Sequence, residues 1–274
     1  MFFNFIDKIT YFESGKKAYG IKKITESQKT FLNQDEIYPM FLIEAIGQLN
    51  AWITMEINDF QVRPIAILYG EINLYSSAKI GDILEIETTL TRVDGNSSLF
   101  NGTVKLNNNL LVEVIDAAGS FLDIQDFAHK ESYIDQFNAL QKDGLKDFNN
   151  PEAISNLMEQ DTILEKTETK ITAKKAFNEK HLFFQEHFPK KPVLPISILL
   201  QNCIELAKVL VNRNNNFKKI QLQRIKMREF VVPNLPVLTE VNIVEDNNST
   251  IICRLDVKTE EKNICRGMVI FFLE

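Results

Sequence analysis

The sequence predicts an α+β fold in which a helix wrapped by an antiparallel sheet is built twice along one chain. Two hydrophobic segments predict it, Met40 to Ile53 and Ile198 to Leu210, each apolar on nearly every face and each following a proline, Pro39 or Pro195. An all-round apolar helix is one buried on all sides, and proline suits the first turn of a helix. The second observation is what surrounds them. Each is followed by four segments of alternating apolar and polar residues, the period-2 signal of half-buried strands. In the first copy these are 65–74, 83–93, 98–106 and 110–121, with Gly81-Asp82 as a turn. In the second they are 220–230, 237–244, 251–257 and 264–273, separated by turns at Asn247-Asn248 and 260–263. Further strand signals precede the helices, at 6–12 and 17–24 in the first copy and 167–173 in the second. Runs of strands around one buried helix are an α+β arrangement, and a repeated order of elements has to be recognised before any other fold inference.

The length of 274 residues suits two units of ordinary domain size. The expected divisions are 1–127, a polar connection over 128–160 containing a short amphipathic stretch at 133–140 and the breaker Asn149-Asn150-Pro151, and 161–274. A net charge of −6 with interspersed basic residues lacks the dense positive stripe of a nucleic-acid binder. Cys203, Cys253 and Cys265 are odd in number and irregularly spaced, which argues for buried thiols in a reducing cytoplasm rather than disulfides or a zinc site. No metal or cofactor is expected. The start of the chain, apolar but without a basic segment and acidic at Asp7, does not read as a signal peptide. Apolar runs fall short of the ~18 residues of a membrane span, so a soluble, cytoplasmic protein is expected.

The stretch Asn178-Glu179-Lys180-His181-Leu182-Phe183-Phe184-Gln185-Glu186-His187-Phe188-Pro189-Lys190-Lys191-Pro192-Val193-Leu194-Pro195 resembles the active-site loop of the bacterial β-hydroxyacyl-acyl-carrier-protein dehydratases, with the pattern NExFFxGHFPGxPxMPG. It departs at Glu186, Lys190 and Ile196, where the family usually has glycine. In the first copy, 5–9 resembles the family's opening strand and Leu42-Ile43-Glu44-Ala45-Ile46-Gly47-Gln48 resembles its helix motif of the type LIxEAMAQ. Residues 66–72 and Lys79-Ile80-Gly81-Asp82 are similar to its next strand and turn. The resemblance implies a double hotdog: two sheet-wrapped helices joined edge to edge as a pseudo-dimer within one chain.

In the family, each site of a dimer takes a histidine from one subunit and a carboxylate from the other. Here each copy keeps one member. The first has Glu44 but Thr30 at the histidine position, with no histidine before His129; the second has His187 but Gln201 at the acid position. The resemblance therefore implies one composite site, with His187 removing the α-proton of a (3R)-hydroxyacyl thioester and Glu44 handling the departing hydroxyl, directly as an acid or through an ordered water. A carboxyl on a buried apolar helix has a raised pKa, which suits an acid. The resemblance further points to the backbone N–H of Ile196 as the donor to the thioester oxygen; its counterpart Pro39 has no N–H. Gln48, one turn beyond Glu44, is placed to orient the carboxylate or a water. His181 and His129 are expected in structural or exposed settings.

The implied substrate is carried on the phosphopantetheine of acyl carrier protein, a partner that Lys190, Lys191, Lys226 and Arg228 are able to meet. The product is a trans-2-enoyl thioester, for fatty-acid, polyketide or polyene synthesis. Two other readings stay open at this level. A thioesterase on the same fold would use the helix acid to activate water without needing His187, and a non-catalytic hotdog scaffold would pair with a second dehydratase subunit.

Overall fold

The computed structural model describes residues 3–33, 35–144, 157–158, 162–188, 190–212 and 217–274, with Thr30 described by its backbone alone. Pro189 of the active-site stretch and 145–156 and 159–160 of the expected connection lie outside the described residues.

The first half runs β1 (Lys8–Glu13), β2 (Lys17–Lys23), α1 (Ile43–Ile57), β3 (Val62–Leu74), β4 (Ile83–Asp94), β5 (Ser97–Leu106) and β6 (Asn109–Asp123), followed by α2 (Lys130–Lys142). The second half runs β7 (Thr162–Lys166), β8 (Lys170–Lys175), α3 (Phe183–His187), α4 (Ile196–Val211), β9 (Phe217–Met227), β10 (Val237–Asp246), β11 (Thr250–Lys258) and β12 (Asn263–Leu273). These twelve strands form one antiparallel sheet in the order β1-β2-β4-β5-β6-β3-β9-β12-β11-β10-β8-β7, and the short segments Leu32–Asn33, Glu36–Ile37 and Ala78–Lys79 pair as a separate small sheet in the first half. Read outward from the middle, the two halves have the same order. The seam is β3 against β9, with Ile220 opposite Leu74 and Lys226 opposite Leu68. The edge-to-edge join expected from the sequence is therefore an unbroken hydrogen-bonded sheet.

Alternation decides which side of each strand is buried. β5 and β11 bury every second residue over most of their length, so one face of the sheet packs on α1 and α4. Both helices are buried on nearly all sides. Gly102 on β5 lets α1 lie close, because a Cβ there would run into Ile46. The apolar core is continuous through both halves.

Three boundaries differ from expectation. The first helix does not start at Met40: Pro39–Leu42 form a 3-10 turn, and α1 begins at Ile43 and continues to Ile57. In the second half the strand expected at 167–173 is a hairpin, β7 and β8, giving each half six strands of the large sheet. Within the expected connection, α2 packs on β1 and buries Phe137 and Leu140, so part of that stretch belongs to the first half's core. α4 ends where Asn212 enters the left-handed region at φ 48°, a conformation asparagine tolerates.

Candidate active site

Glu44 lies in the first turn of α1 and His187 at the end of α3, in opposite halves, and both line one cavity of about 340 Å³. The cavity is bounded by α1, by the starts of β3 and α4, and by residues 227–230 at the end of β9 and just beyond it. It follows α1 through Glu44, Gly47 and Ala51, a stripe of residues on one helix face.

The Glu44 carboxylate reaches across the seam to the second half, where the Ser197 hydroxyl donates to its Oε1 at 2.6 Å. Burial pushes the carboxyl up to about 7, while the Ser197 hydroxyl, the Ser197 backbone N–H and the Arg63 guanidinium draw it back down. It is thus held in both protonation states near neutral pH. His187 is half-buried, its ring stacked on Phe188 at 3.8 Å between centroids and edge-on to Phe3 at 5.1 Å. Its Nδ1 lies 3.5 Å from the Val193 carbonyl. A carbonyl only accepts, so this contact favours the tautomer with the proton on Nδ1 and leaves the Nε2 lone pair free as a base. Burial, assisted by Arg63, pushes the imidazole down to about 3 and keeps it neutral.

Ile196, the first residue of α4, lines the same cavity. The N–H groups of Ile198 and Leu199 are taken by the Pro195 carbonyl, whereas that of Ile196 has no partner among the described residues. A free N–H at a helix start favours negative charge. Ile196 keeps a negative φ, so a non-glycine residue is accommodated there without strain.

Gln48 lines the cavity but does not orient Glu44. Its Oε1 accepts from the Phe5 N–H at 2.9 Å and its Nε2 donates to the Phe3 carbonyl at 3.1 Å, so its amide pins the N-terminal segment that presses Phe3 on His187. The amide bonds to that backbone and makes no hydrogen bond to Glu44 among the described residues, which corrects the expectation for the carboxylate. Glu186, where the family has glycine, accepts from the Phe3 N–H at 3.1 Å and holds the same segment from the other half. His129 is exposed at the start of α2, and His181 stacks on Phe183 at 5.2 Å.

Three residues of the site were not singled out from the sequence. Arg63, which opens β3, lies 5.5 Å from the Tyr133 and Phe188 rings, and its buried Nε has no partner among the described residues. Ser197 reads in sequence as a helix-start residue, with nothing to indicate a bond 153 positions away. Gly47 sits mid-helix, and a Cβ built there would meet nothing within 4 Å. Glycine inside a helix costs about 0.5–1 kcal/mol relative to alanine, so this position exchanges stability for space. Gly47→Ala is expected to raise the midpoint of thermal unfolding, as calorimetry would measure, whereas Gly47→Leu would place a large side chain in the cavity.

A second cavity occupies the pseudo-equivalent position, lined by Tyr38, Pro39, Gln201, Ile204 and Lys208. Gln201 stands for Glu44, Pro39 for Ile196, and Ile204 and Lys208 for Gly47 and Ala51. The acid and the Ile196 N–H are both replaced on that side, although the cavity there has a similar volume of about 320 Å³. Among the described residues no group of histidine, cysteine and carboxylate side chains is arranged to hold a metal, and no helix is long and apolar enough to cross a membrane.

Residues 163–268 match the family model of the ApeI-like proteins, described as ApeI dehydratase. The 3-hydroxyacyl-acyl-carrier-protein dehydratase FabZ of Bacillus velezensis is 31% identical over 117 residues, covering 40% of this chain and 82% of that protein. Among solved structures, a putative oleoyl thioesterase from Lactobacillus plantarum superposes with a TM-score of 0.61 at 11% identity, over 94% of this chain and 97% of that one. An inactive mutant of the CurK dehydratase superposes with a TM-score of 0.54 at 12% identity, over 98% and 99%. At such identities the structural matches establish the double-hotdog fold, which thioesterases and dehydratases share, while the sequence matches are to dehydratases. The chain belongs to the ApeI/FabZ-like family of hotdog dehydratases.

Proposed function

We propose that the protein dehydrates (3R)-hydroxyacyl thioesters borne by acyl carrier protein to trans-2-enoyl thioesters, at one composite site. The observation that carries this reading is the meeting of Glu44, His187 and the free Ile196 N–H on one cavity, although they come from opposite halves. His187 Nε2 takes the α-proton. The charge that develops on the thioester oxygen is met by the Ile196 N–H at the start of α4. Protonated Glu44 gives its proton to the β-hydroxyl, which leaves as water, and proton exchange through that water returns imidazolium and carboxylate to their starting states. A neutral imidazole and a carboxyl near 7 are the protonation states this sequence needs.

The carrier's acidic surface would meet Lys226 and Arg228, both exposed beside the cavity. Lys190 donates to the Gln125 carbonyl at 3.3 Å and Lys191 lies over the Phe127 and Phe230 rings, so these two also shape the entrance. The reading is tested by following the absorbance of the conjugated enoyl thioester and the release of free thiol in parallel. A dehydratase raises the first alone. Release of thiol without enoyl absorbance would identify a thioesterase, and no change in either would favour a scaffold.

A further inference from the structure

Ser197 is fully buried at the second position of α4. A serine there commonly bonds its own helix turn. Its hydroxyl instead crosses the seam to Glu44 Oε1, and 2.6 Å is the length of a charge-assisted O–H···O bond. The helix-start resemblance says nothing of this residue, and the pseudo-equivalent site lacks the contact altogether. There, Met40 stands for Ser197 and offers no donor, while Gln201, standing for Glu44, turns its Nε2 to Glu205 at 2.7 Å on its own helix. The bond therefore exists on the side that has His187, where it ties the acid of one half to the helix start of the other.

We propose that Ser197 is the positioning residue for Glu44: it fixes Oε1 against the start of α4, so that Oε2 is left to meet the β-hydroxyl of the substrate. This rests on the dehydratase reading. The same helix start then serves two charges, the Glu44 carboxylate through Ser197 and the thioester oxygen through Ile196. Beyond Ser197, the titratable or charged groups that face Glu44 are Arg63 and Tyr69 from β3 and His187 from α3, all on the cavity wall. None of them makes a hydrogen bond to the carboxylate, which leaves Ser197 as its one fixed side-chain anchor among the described residues.

The test compares Ser197→Ala and Ser197→Thr with wild type. Loss of one bond to a charged group is expected to lower kcat about tenfold in Ser197→Ala. Without the donor, the carboxyl should hold its proton about one pH unit higher, moving the alkaline limb of the rate profile up. Ser197→Thr, which keeps the hydroxyl, should restore both. In a Glu44→Gln background, Ser197→Ala should add little further loss. An unmoved pH profile in Ser197→Ala, or an equal rate loss in both backgrounds, would overturn the proposal. Titration of the isotope-labelled Glu44 carboxyl reads the same shift without turnover. A wild type unable to dehydrate any hydroxyacyl carrier would thus count against the dehydratase reading, while an unmoved carboxyl would count against the clamp.

Discussion

Replacing His187 by alanine is expected to slow dehydration by about 10²- to 10⁴-fold, the range for losing a positioned general base. Of the other titratable residues on the cavity wall, Glu44 has to begin protonated in this mechanism, Arg63 and Arg228 have no lone pair to offer, burial keeps the Tyr69 phenol protonated, and Glu229 is exposed beyond the end of β9. The ring's removal also takes away its stacking on Phe188 and Phe3, so a stability change of about 1 kcal/mol should accompany the loss of rate without explaining it. Stability against pH gives a second signature. The imidazole protonates near 6.5 when unfolded and near 3 when folded, so its contribution is present above 6.5 and is lost as pH falls through that window. His187→Ala should therefore lose less stability than wild type between these two values, measured by denaturant unfolding. A variant with wild-type turnover would assign proton abstraction elsewhere.

Glu44→Gln should bring a comparable loss of rate together with a gain in stability at alkaline pH. Glutamine cannot donate an acidic proton to the leaving hydroxyl, yet it is nearly isosteric and retains an oxygen to accept from Ser197. The carboxyl moves from 4.5 unfolded to about 7 folded, and a group raised in this way contributes stability that is complete below 4.5 and lost as pH rises through 7. The amount lost is about 3 kcal/mol over that interval. At pH 8 the glutamine variant should therefore outlast wild type in denaturant, and at pH 4.5 the two should converge. Such an inverse relation between rate and stability is characteristic of a buried group retained for chemistry. Reduced stability of Glu44→Gln at both pH values would instead mark Glu44 as a structural carboxylate.

Most of the fold was legible because it depends on periodicity. Two helices apolar on every face and strands alternating in twos specify which surfaces are buried, and the repeated order specifies the pseudo-symmetry. Sequence spacing also placed Gln48 on the same helix face as Glu44, and it does line the same cavity. It could not reveal that the Phe3 and Phe5 backbone would occupy the Gln48 amide, because that contact joins residues 43 and 45 positions apart. Arg63 and Ser197 were hidden for the same reason. A lone arginine at a strand start and a serine after a proline have ordinary local explanations, and only packing across the seam gives them their partners. Gly47 carried a local signal, a glycine in the middle of a helix, whose meaning depends on the space beside it.

The two halves differ in chemistry more than in space: the pseudo-equivalent cavity, about 320 Å³ in volume, is lined by Pro39 and Gln201 where the other has Ile196 and Glu44.

Intact-mass analysis of an acyl carrier protein loaded with a (3R)-hydroxyacyl group tests the composite site most directly, using wild type, His187→Ala and Glu44→Gln side by side. The composite site predicts loss of one water from the carrier with wild type and its retention with either variant, although each changes only one half of the chain. Full dehydration by either variant, or release of the whole acyl group by wild type, would contradict it.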